Sequence, residues 1–476
     1  MMFTQHLATF STDDVLSPYI WVFYASFLTA FLFTPIMRRV ATYYGVVDAP
    51  GGRKVHKLPT AYLGGVAVFV GFLLSLAISQ LLPVHWSTEL DSPLMRIWLG
   101  GQVVIPLTVA FAAICVVSLG LWDDIAGITP KIKILGQVFA AGLLLYAGIG
   151  TTLTEPFTVN FFERFSNYTG FIVPEALLHW VTLTTSCGLT IAIIVFCCNA
   201  SNLMDGLDGL CGGVTAIIAV GLCILAVYIA KYPTLTPEFL QELSRFDAAH
   251  VNMAGVRVVI ALALLGGVLG FVPYNFNPAS IFMGDAGSLF LGFTCGLLIV
   301  LMGEVEAKWL LAALVMFSLP VLDTALAFAR RYLAGRPVFS ADKHHFHHQL
   351  IARGLSVKQA VLLAYGLAIF FVLCGLTIIM LRTRYAAAFY MVLFCSIIVA
   401  AYKIGMIHER VKVDGQDAAP GEGALEASNR VADARDEETL NELEETDAAD
   451  GPPDAGRVRP SHASGEAGSA TATSSV

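Results

Sequence analysis

The sequence predicts an all-α, polytopic membrane protein with about eleven transmembrane helices, chemistry-bearing cytoplasmic loops and a disordered C-terminal tail. Three observations predict this. The 476 residues are 56% hydrophobic and only 13% charged, with a mean hydropathy of +0.71, whereas soluble domains average about 25% charged. Apolar stretches long enough to cross a bilayer recur along the chain. Lys and Arg are also unevenly shared between alternate loops, 16 on one face and 8 on the other.

In chain order the predicted spans are Tyr19–Arg38, Ala61–Leu82, Gln102–Trp122, Ile134–Gly150, Trp180–Cys198, Leu210–Ala230, Val256–Pro273, Gly287–Gly303, Trp309–Arg330, Gln359–Leu381 and Tyr385–Lys403. An odd number of spans separates the termini. The excess of basic residues between Arg38 and Lys57, at Lys131 and Lys133, and between Arg330 and Lys358 then places the N-terminus outside and the C-terminus in the cytoplasm. Residues 1–18 form a short extracytoplasmic segment with no basic start and no separate apolar stretch, so no secretory leader is expected. Residues 19–408 form the membrane domain. From Glu409 to Val476 there are 16 acidic and 6 basic residues, a composition that cannot bury enough apolar surface to fold. Without this tail the chain has 22 basic and 20 acidic residues, so the formal charge of −8 describes the tail and not the membrane domain. The nine cysteines lie mostly in predicted spans and are read as small apolar packing.

On this topology Asp123, Asp124, Asp205, Asp208 and Asp285 all face the cytoplasm, next to apolar segments. Carboxylates at such places are costly and mark functional sites. The first cytoplasmic loop, Gly51 to Thr60, offers Arg53, Lys54, His56 and Lys57 to phosphates, or simply sets topology. In the second, adjacent Asp123 and Asp124 need a nearby cation to ionise together; Lys133 is close in sequence, and a bound Mg²⁺ would serve better. A helix-ending polar turn is the plainer reading of that pair.

In the third loop Asn199, Asn202, Asp205 and Asp208 recur every three residues, which stacks them on one side of a helical turn. Gly206 and Gly209 leave room for a ligand near the backbone. In the fourth, Asp285 opens an apolar span between Gly284 and Gly287, a place suited to phosphate and its metal. Phe282 could stack there on a nucleobase or be an ordinary interfacial side chain. The fifth holds His344, His345, His347 and His348 beside Arg336 and Lys343. Zinc would need a further ligand and supporting hydrogen bonds, so phosphate binding or acid–base work fits the carboxylate-rich site better.

Taken together, WDD at Trp122, the Asn199 to Gly209 run NxxNxxDGxDG, FMGDxGS at Phe282 and the HxHH of His345 to His348 resemble the polyprenyl-phosphate N-acetylhexosamine-1-phosphate transferase family over roughly residues 20–405. The resemblance implies transfer of a sugar 1-phosphate from a UDP-sugar to a polyprenyl phosphate, with release of UMP and a requirement for Mg²⁺, or Mn²⁺ in its place. It implies Asp285 and Asn202 as metal ligands, Asp123 and Asp124 beside the polyprenyl phosphate, and Lys133 neutralising phosphate charge. Asp205, Asp208, Asn275 and Phe282 would shape the donor pocket, with Asn199 and Arg336 also binding substrate, and His345, His347 and His348 would bind diphosphate or sugar. The histidine loop, FSADKHHFHHQL from Phe339, looks like the branch that uses UDP-GlcNAc, although Phe346 replaces the usual Ile or Leu and His344 is additional.

The implied setting is the inner membrane of a bacterium, with undecaprenyl phosphate as acceptor and the product feeding a cell-envelope polysaccharide such as teichoic acid or the lipopolysaccharide O-antigen. A homodimer is a family-level expectation, and no nucleic-acid partner is expected. Two other readings remain: the same family acting on another UDP-N-acetylhexosamine or on UDP-MurNAc-pentapeptide, and, more remotely, a secondary transporter. Transporters bind at the bilayer midplane, whereas these polar groups lie in loops on one face.

Overall fold

The computed structural model describes residues 11–48, 59–81, 105–232, 253–333 and 345–403. Among these the helices are α1 (Thr12–Leu16), α2 (Ile20–Tyr43), α3 (Gly64–Leu81), α4 (Leu107–Ala126), α5 (Pro130–Tyr146), α6 (Glu155–Thr169), α7 (Glu175–Met204) and α8 (Leu210–Lys231). They continue with α9 (Met253–Asn275), α10 (Gly284–Gly303), α11 (Ala307–Met316), α12 (Ser318–Leu333), α13 (Phe346–Ala352), α14 (Val357–Met380) and α15 (Thr383–Lys403). Among the described residues ten of the eleven predicted apolar segments each fall on one of these helices, and Trp309–Arg330 falls on two. Seven of the described helices are long and apolar enough to cross a membrane, eight if the bent pair α11–α12 is one span. The expected eleven are not reached on that measure: α3 and α15 contain shorter apolar stretches, and α5 has 17 residues with Lys131 and Lys133 in its first turn. The acidic tail, residues 409–476, lies outside the described residues.

The centre of the fold is α10, whose apolar window is buried along its whole length. It packs against α3, α4, α7 and α11. Small residues permit this. Gly65 of α3 lies backbone to backbone on Gly287, Gly120 of α4 on Ala286, and Gly292 against the Cys197 carbonyl of α7. Helices in lipid gain no hydrophobic advantage from meeting one another, so close backbone approach and dispersion hold them together. The helices α2, α3 and α9 pack mutually, as do α8, α11 and α14.

Two local features depart from the predicted outline. The span expected over Trp309–Arg330 is broken between α11 and α12 by a 73° bend. Pro320 lies just inside α12, where it cannot donate to Met316 and its ring crowds that carbonyl. The sequence reading also has no counterpart of α6, an amphipathic helix that exposes Phe157, Phe161 and Phe165 at helical spacing. That pattern belongs to a helix lying along an apolar boundary.

The chain before α3 is stitched to the chain before α10. Strand β1 (Val47–Asp48) pairs antiparallel with β2 (Thr60–Ala61), and Ala61 bridges Ile281 in parallel. The Phe282 amide then donates to the Ala61 carbonyl at 2.8 Å, and the Gly64 and Gly65 amides donate to the Phe282 and Met283 carbonyls, each at 2.9 Å. The residues on either side of this seam are thereby held in a fixed register.

A side chain added at Gly292 has no space on the Cys197–Cys198 backbone, whereas Gly142 on α5 has nothing within 4 Å of an added Cβ. Gly292→Leu should therefore destabilise the protein by about 1–3 kcal/mol or more, and Gly142→Leu should not. Thermal unfolding midpoints of the two variants in detergent micelles measure the difference.

Candidate active site

Four helix ends and one loop converge beneath the seam. The C-terminal turn of α4 supplies Asp123 and Asp124, and Gly127, at φ +66°, stops that helix. The first turn of α5, opened by Pro130, supplies Lys133. The last turns of α7 supply Asn199 and Asn202, the following loop Asp205 and Asp208, and the start of α10 supplies Asp285 and Ser288.

Lys133 is the hub. Its Nζ lies 2.5 Å from Asp123 Oδ2, contacts Asp285 Oδ2 directly, and is 3.5 Å from Asn202 Oδ1. Asn202 Nδ2 donates to Asp285 Oδ1 at 2.8 Å and to Ser288 Oγ at 2.9 Å. Asp123 Oδ1 accepts from the Ile128 amide at 2.8 Å. Two carboxylates and an amide therefore surround one positive charge. These oxygen donors suit a hard cation. Among the described residues no three His, Cys, Asp or Glu side chains gather as a metal site. Further ligands would have to be water and substrate phosphate, the usual way Mg²⁺ is held.

Asp124, expected beside a lipid phosphate, has both oxygens engaged elsewhere. Oδ1 accepts from the Asp285 amide at 2.8 Å and Oδ2 from the Ala286 amide at 3.0 Å. It is the N-terminal cap of α10, supplied by another helix. The fit requires Gly284, at φ +74°, where an added Cβ would come within 2.7 Å of Asp124 Oδ2.

The expected donor loop is fixed from behind. Asp208 Oδ2 accepts from Asn277 Nδ2 at 2.8 Å and from the Ala279 amide at 3.0 Å. Asn275 is buried, accepting from the Gly209 amide and donating to the Ile281 carbonyl, both at 3.1 Å. Tyr365 donates to the Gly209 carbonyl at 2.6 Å. Asn199 Nδ2 donates to Gln137 Oε1 and to the Val195 carbonyl, each at 2.7 Å. Asp208, Asn275 and Asn199 thus hold the loop, while among the described residues no donor reaches Asp205. Burial, followed by the charges of Asp285, Asp124 and Asp208, pushes the Asp205 carboxyl well above its ordinary range. Phe282 lies at the edge with its ring 5.8 Å from that of Tyr62, a residue the sequence reading passed over.

The histidines arrive on α13. His347 is buried, with its Nε2 against Gly206, next to Asp205. Its ring runs parallel to His345 at 5.7 Å and lies 4.3 Å from His348. Burial holds the His347 imidazole down to about 4, so it is neutral at pH 7. Asp323 of α12, also passed over, sits beneath them. The signal available was an acid inside an apolar span. Arg336, Lys343 and His344, and the basic residues Arg53, Lys54, His56 and Lys57, lie outside the described residues.

Comparison with known proteins gives a consistent set. A family model described as Glycosyl transferase family 4 matches residues 106–303. The chain is 30% identical over 409 residues to a probable undecaprenyl-phosphate N-acetylglucosaminyl 1-phosphate transferase of Bacillus subtilis, covering 84% of this chain and 96% of the relative. It is 32% identical over 361 residues to a decaprenyl-phosphate N-acetylglucosaminephosphotransferase of Mycolicibacterium smegmatis, covering 72% and 77%. It is 28% identical over 375 residues to a phospho-N-acetylmuramoyl-pentapeptide-transferase of Orientia tsutsugamushi, covering 75% and 91%.

Two outcomes follow from this geometry. Asp124→Ala leaves two buried amides at the start of α10 without an acceptor and should cost about 1–3 kcal/mol. Asp124→Asn keeps an acceptor oxygen and should cost less, as thermal unfolding in micelles would show. For Asp205, a folded-state pKa above the unfolded value of about 4 means that the folded chain keeps this proton to higher pH. The group therefore weakens folding progressively as pH rises. Asp205→Asn should raise the unfolding midpoint at pH 7.5, and the gain should vanish in acid, where the protonated carboxyl is as neutral as the amide.

Proposed function

The chain belongs to glycosyl transferase family 4, and from that membership we propose that it transfers N-acetylglucosamine 1-phosphate from UDP-GlcNAc to undecaprenyl phosphate. The observation that carries the proposal is the meeting of Asp123, Asp285, Asn202 and Lys133 at the N-terminus of the buried helix α10. A helix N-terminus attracts phosphate, and a lysine bridging two carboxylates can turn to an anion when one enters. The names of the Bacillus subtilis and Mycolicibacterium smegmatis relatives favour the N-acetylglucosaminyl donor. The HHFHH run at His344 to His348 favours it too. The name of the Orientia tsutsugamushi relative keeps UDP-MurNAc-pentapeptide as the second reading.

In the proposed reaction an oxygen of the polyprenyl phosphate attacks the β-phosphorus of the UDP-sugar. The bond from the bridging oxygen to the β-phosphorus breaks, and UMP leaves with the electron pair. A phosphate monoester has its second pKa near about 6, so the nucleophile is already largely ionised and needs no dedicated base. Positioning and electrostatic stabilisation then carry the rate. Lys133 neutralises charge on the reacting phosphates, and Asp123 fixes Lys133. Asp285 and Asn202 would hold Mg²⁺, or Mn²⁺, and such an ion supplies neutralisation of the diphosphate when bound. Asp205, with Phe282 at the rim, would face the uridine and sugar. His345, His347 and His348 would meet the diphosphate or sugar from the opposite side. The site is proposed to open to the cytoplasm of a bacterium, beneath about eleven spans.

Purified protein with undecaprenyl phosphate and Mg²⁺ should exchange labelled UMP into UDP-GlcNAc, which a transporter would not do. Asp285→Ala and chelation of divalent ions should each abolish lipid-linked product, and full activity in either would sink the metal assignment. Mass spectrometry of the product from a panel of UDP-sugars separates the two donors: the GlcNAc-diphospholipid is expected, and a MurNAc-pentapeptide lipid would replace this reading by the second.

A further inference from the structure

The histidine loop rests on a carboxylate that the proposed chemistry has not used. Asp323 is 5% exposed and lies one helical turn beyond Pro320, on the half-helix that the bend sends beneath α13. Its Oδ1 accepts from the Phe346 amide at 2.8 Å, which fixes the first residue of α13. Its Oδ2 lies 3.7 Å from His345 Nδ1 and 3.9 Å from His347 Nδ1. These separations are too long for hydrogen bonds but well inside the range at which a buried charge biases a neighbouring imidazole. The two rings are parallel to within 6°, and both turn their Nδ1 edge to the acid. His347 is 2% exposed, and among the described residues neither of its ring nitrogens has a hydrogen-bond partner. A buried polar atom without a partner is costly. Here that atom is aimed: Nε2 faces Gly206, beside the free carboxyl of Asp205.

We propose that Asp323 is a positioning residue for the donor side of the site. It keeps the Nδ1 atoms of His345 and His347 protonated and turned towards its carboxylate, and so presents Nε2 of His347 at the Asp205–Gly206 turn as the contact for the donor's diphosphate or sugar. The carboxylate does not touch substrate; it sets the tautomer and angle of a histidine that does. Among the described residues the charged groups acting on His347 are Asp323 on α12 and its loop neighbours His345 and His348, and its Nε2 faces Gly206, which follows Asp205 in the chain. Of the two acids, Asp323 is the one on the Nδ1 side. Hydrogen bonds of this kind are often long in empty sites and tighten when the substrate arrives. The assignment of the diphosphate or sugar to this turn rests on the transferase reading above, whereas the tautomer does not.

The test uses the full chain in lipid nanodiscs. Imidazole ¹⁵N spectra, with the His347 resonances identified by their loss in His347→Gln, should show the Nδ1–H tautomer in the wild type. A mixed or Nε2–H tautomer is expected in Asp323→Asn, and recovery in Asp323→Glu. In steady-state assays Asp323→Asn should raise KM for UDP-GlcNAc about 10- to 100-fold, by analogy with the loss seen when a carboxylate behind a metal-ligating histidine is removed. KM for undecaprenyl phosphate should not change. An Nε2–H tautomer for His347 in the wild type overturns the proposal without any variant. So does an Asp323→Asn enzyme whose only change is a lower kcat with both KM values intact, the signature of a partly unfolded preparation. Absence of product from the wild type would remove the transferase reading, and the spectra would still decide the role of Asp323.

Discussion

A helix buried from end to end must still end, and the first amides of α10 have no partner within their own helix. In apolar surroundings each unmet donor costs about 1–3 kcal/mol. Asp124 meets two of them from α4, and much of the site follows from that contact. It fixes where α10 begins, so Asp285 is presented at the tip and not within the packed core. It holds the end of α4 against α10, which puts Asp123 within reach of Lys133 on the next helix. The backbone contacts of Gly65 on Gly287 and Gly120 on Ala286 depend on the same register.

The cap also explains how the site can hold so much negative charge. Asp124 spends its charge on the positive end of a helix dipole, and Asp123 and Asp285 share Lys133. Asp208 is spent on the segment between α9 and α10. Only Asp205 is left without a donor among the described residues, and it sits where the histidines close over the turn. The cluster is thus sorted by the backbone around it into acids that build and acids that wait for a ligand. The sequence offers five carboxylates for one predicted face and cannot sort them, because the sorting is done by contacts between segments far apart in the chain.

That distinction marks what was legible in the sequence. The apolar segments were legible because hydrocarbon imposes its requirement locally, some twenty residues at a time. Asp285 and Asn202 were legible because their motifs carry the family resemblance, and Lys133 because it lies close in sequence to the Asp123–Asp124 pair. Asp124 as a cap was not, since its partners lie across a helix–helix contact. Pro320 stood in plain view inside a predicted span, but hydropathy averages over a window and does not register one missing amide. Asp323 was hidden by the same averaging. In α6 the apolar residues are four phenylalanines, a tyrosine, a valine and a proline, balanced by Glu155, Glu163, Arg164 and several polar residues, so neither its hydropathy nor its length announces a span.

The separation of Asp124 from the amides it caps also has a meaning in time. The two are 161 residues apart. A ribosome adding about 5–20 residues per second needs roughly 8–30 s to deliver the second after the first. Throughout that interval the acidic end of α4 has emerged and its partner has not. It must stay in water at the membrane surface, and the segment carrying Asn202 must be inserted beside it, before α10 can enter the gap between them. Of the helices that carry the carboxylates and Lys133, the last to be made is therefore the central one, and the carboxylate cluster is completed only when α10 docks, before the histidines of α13 have been made.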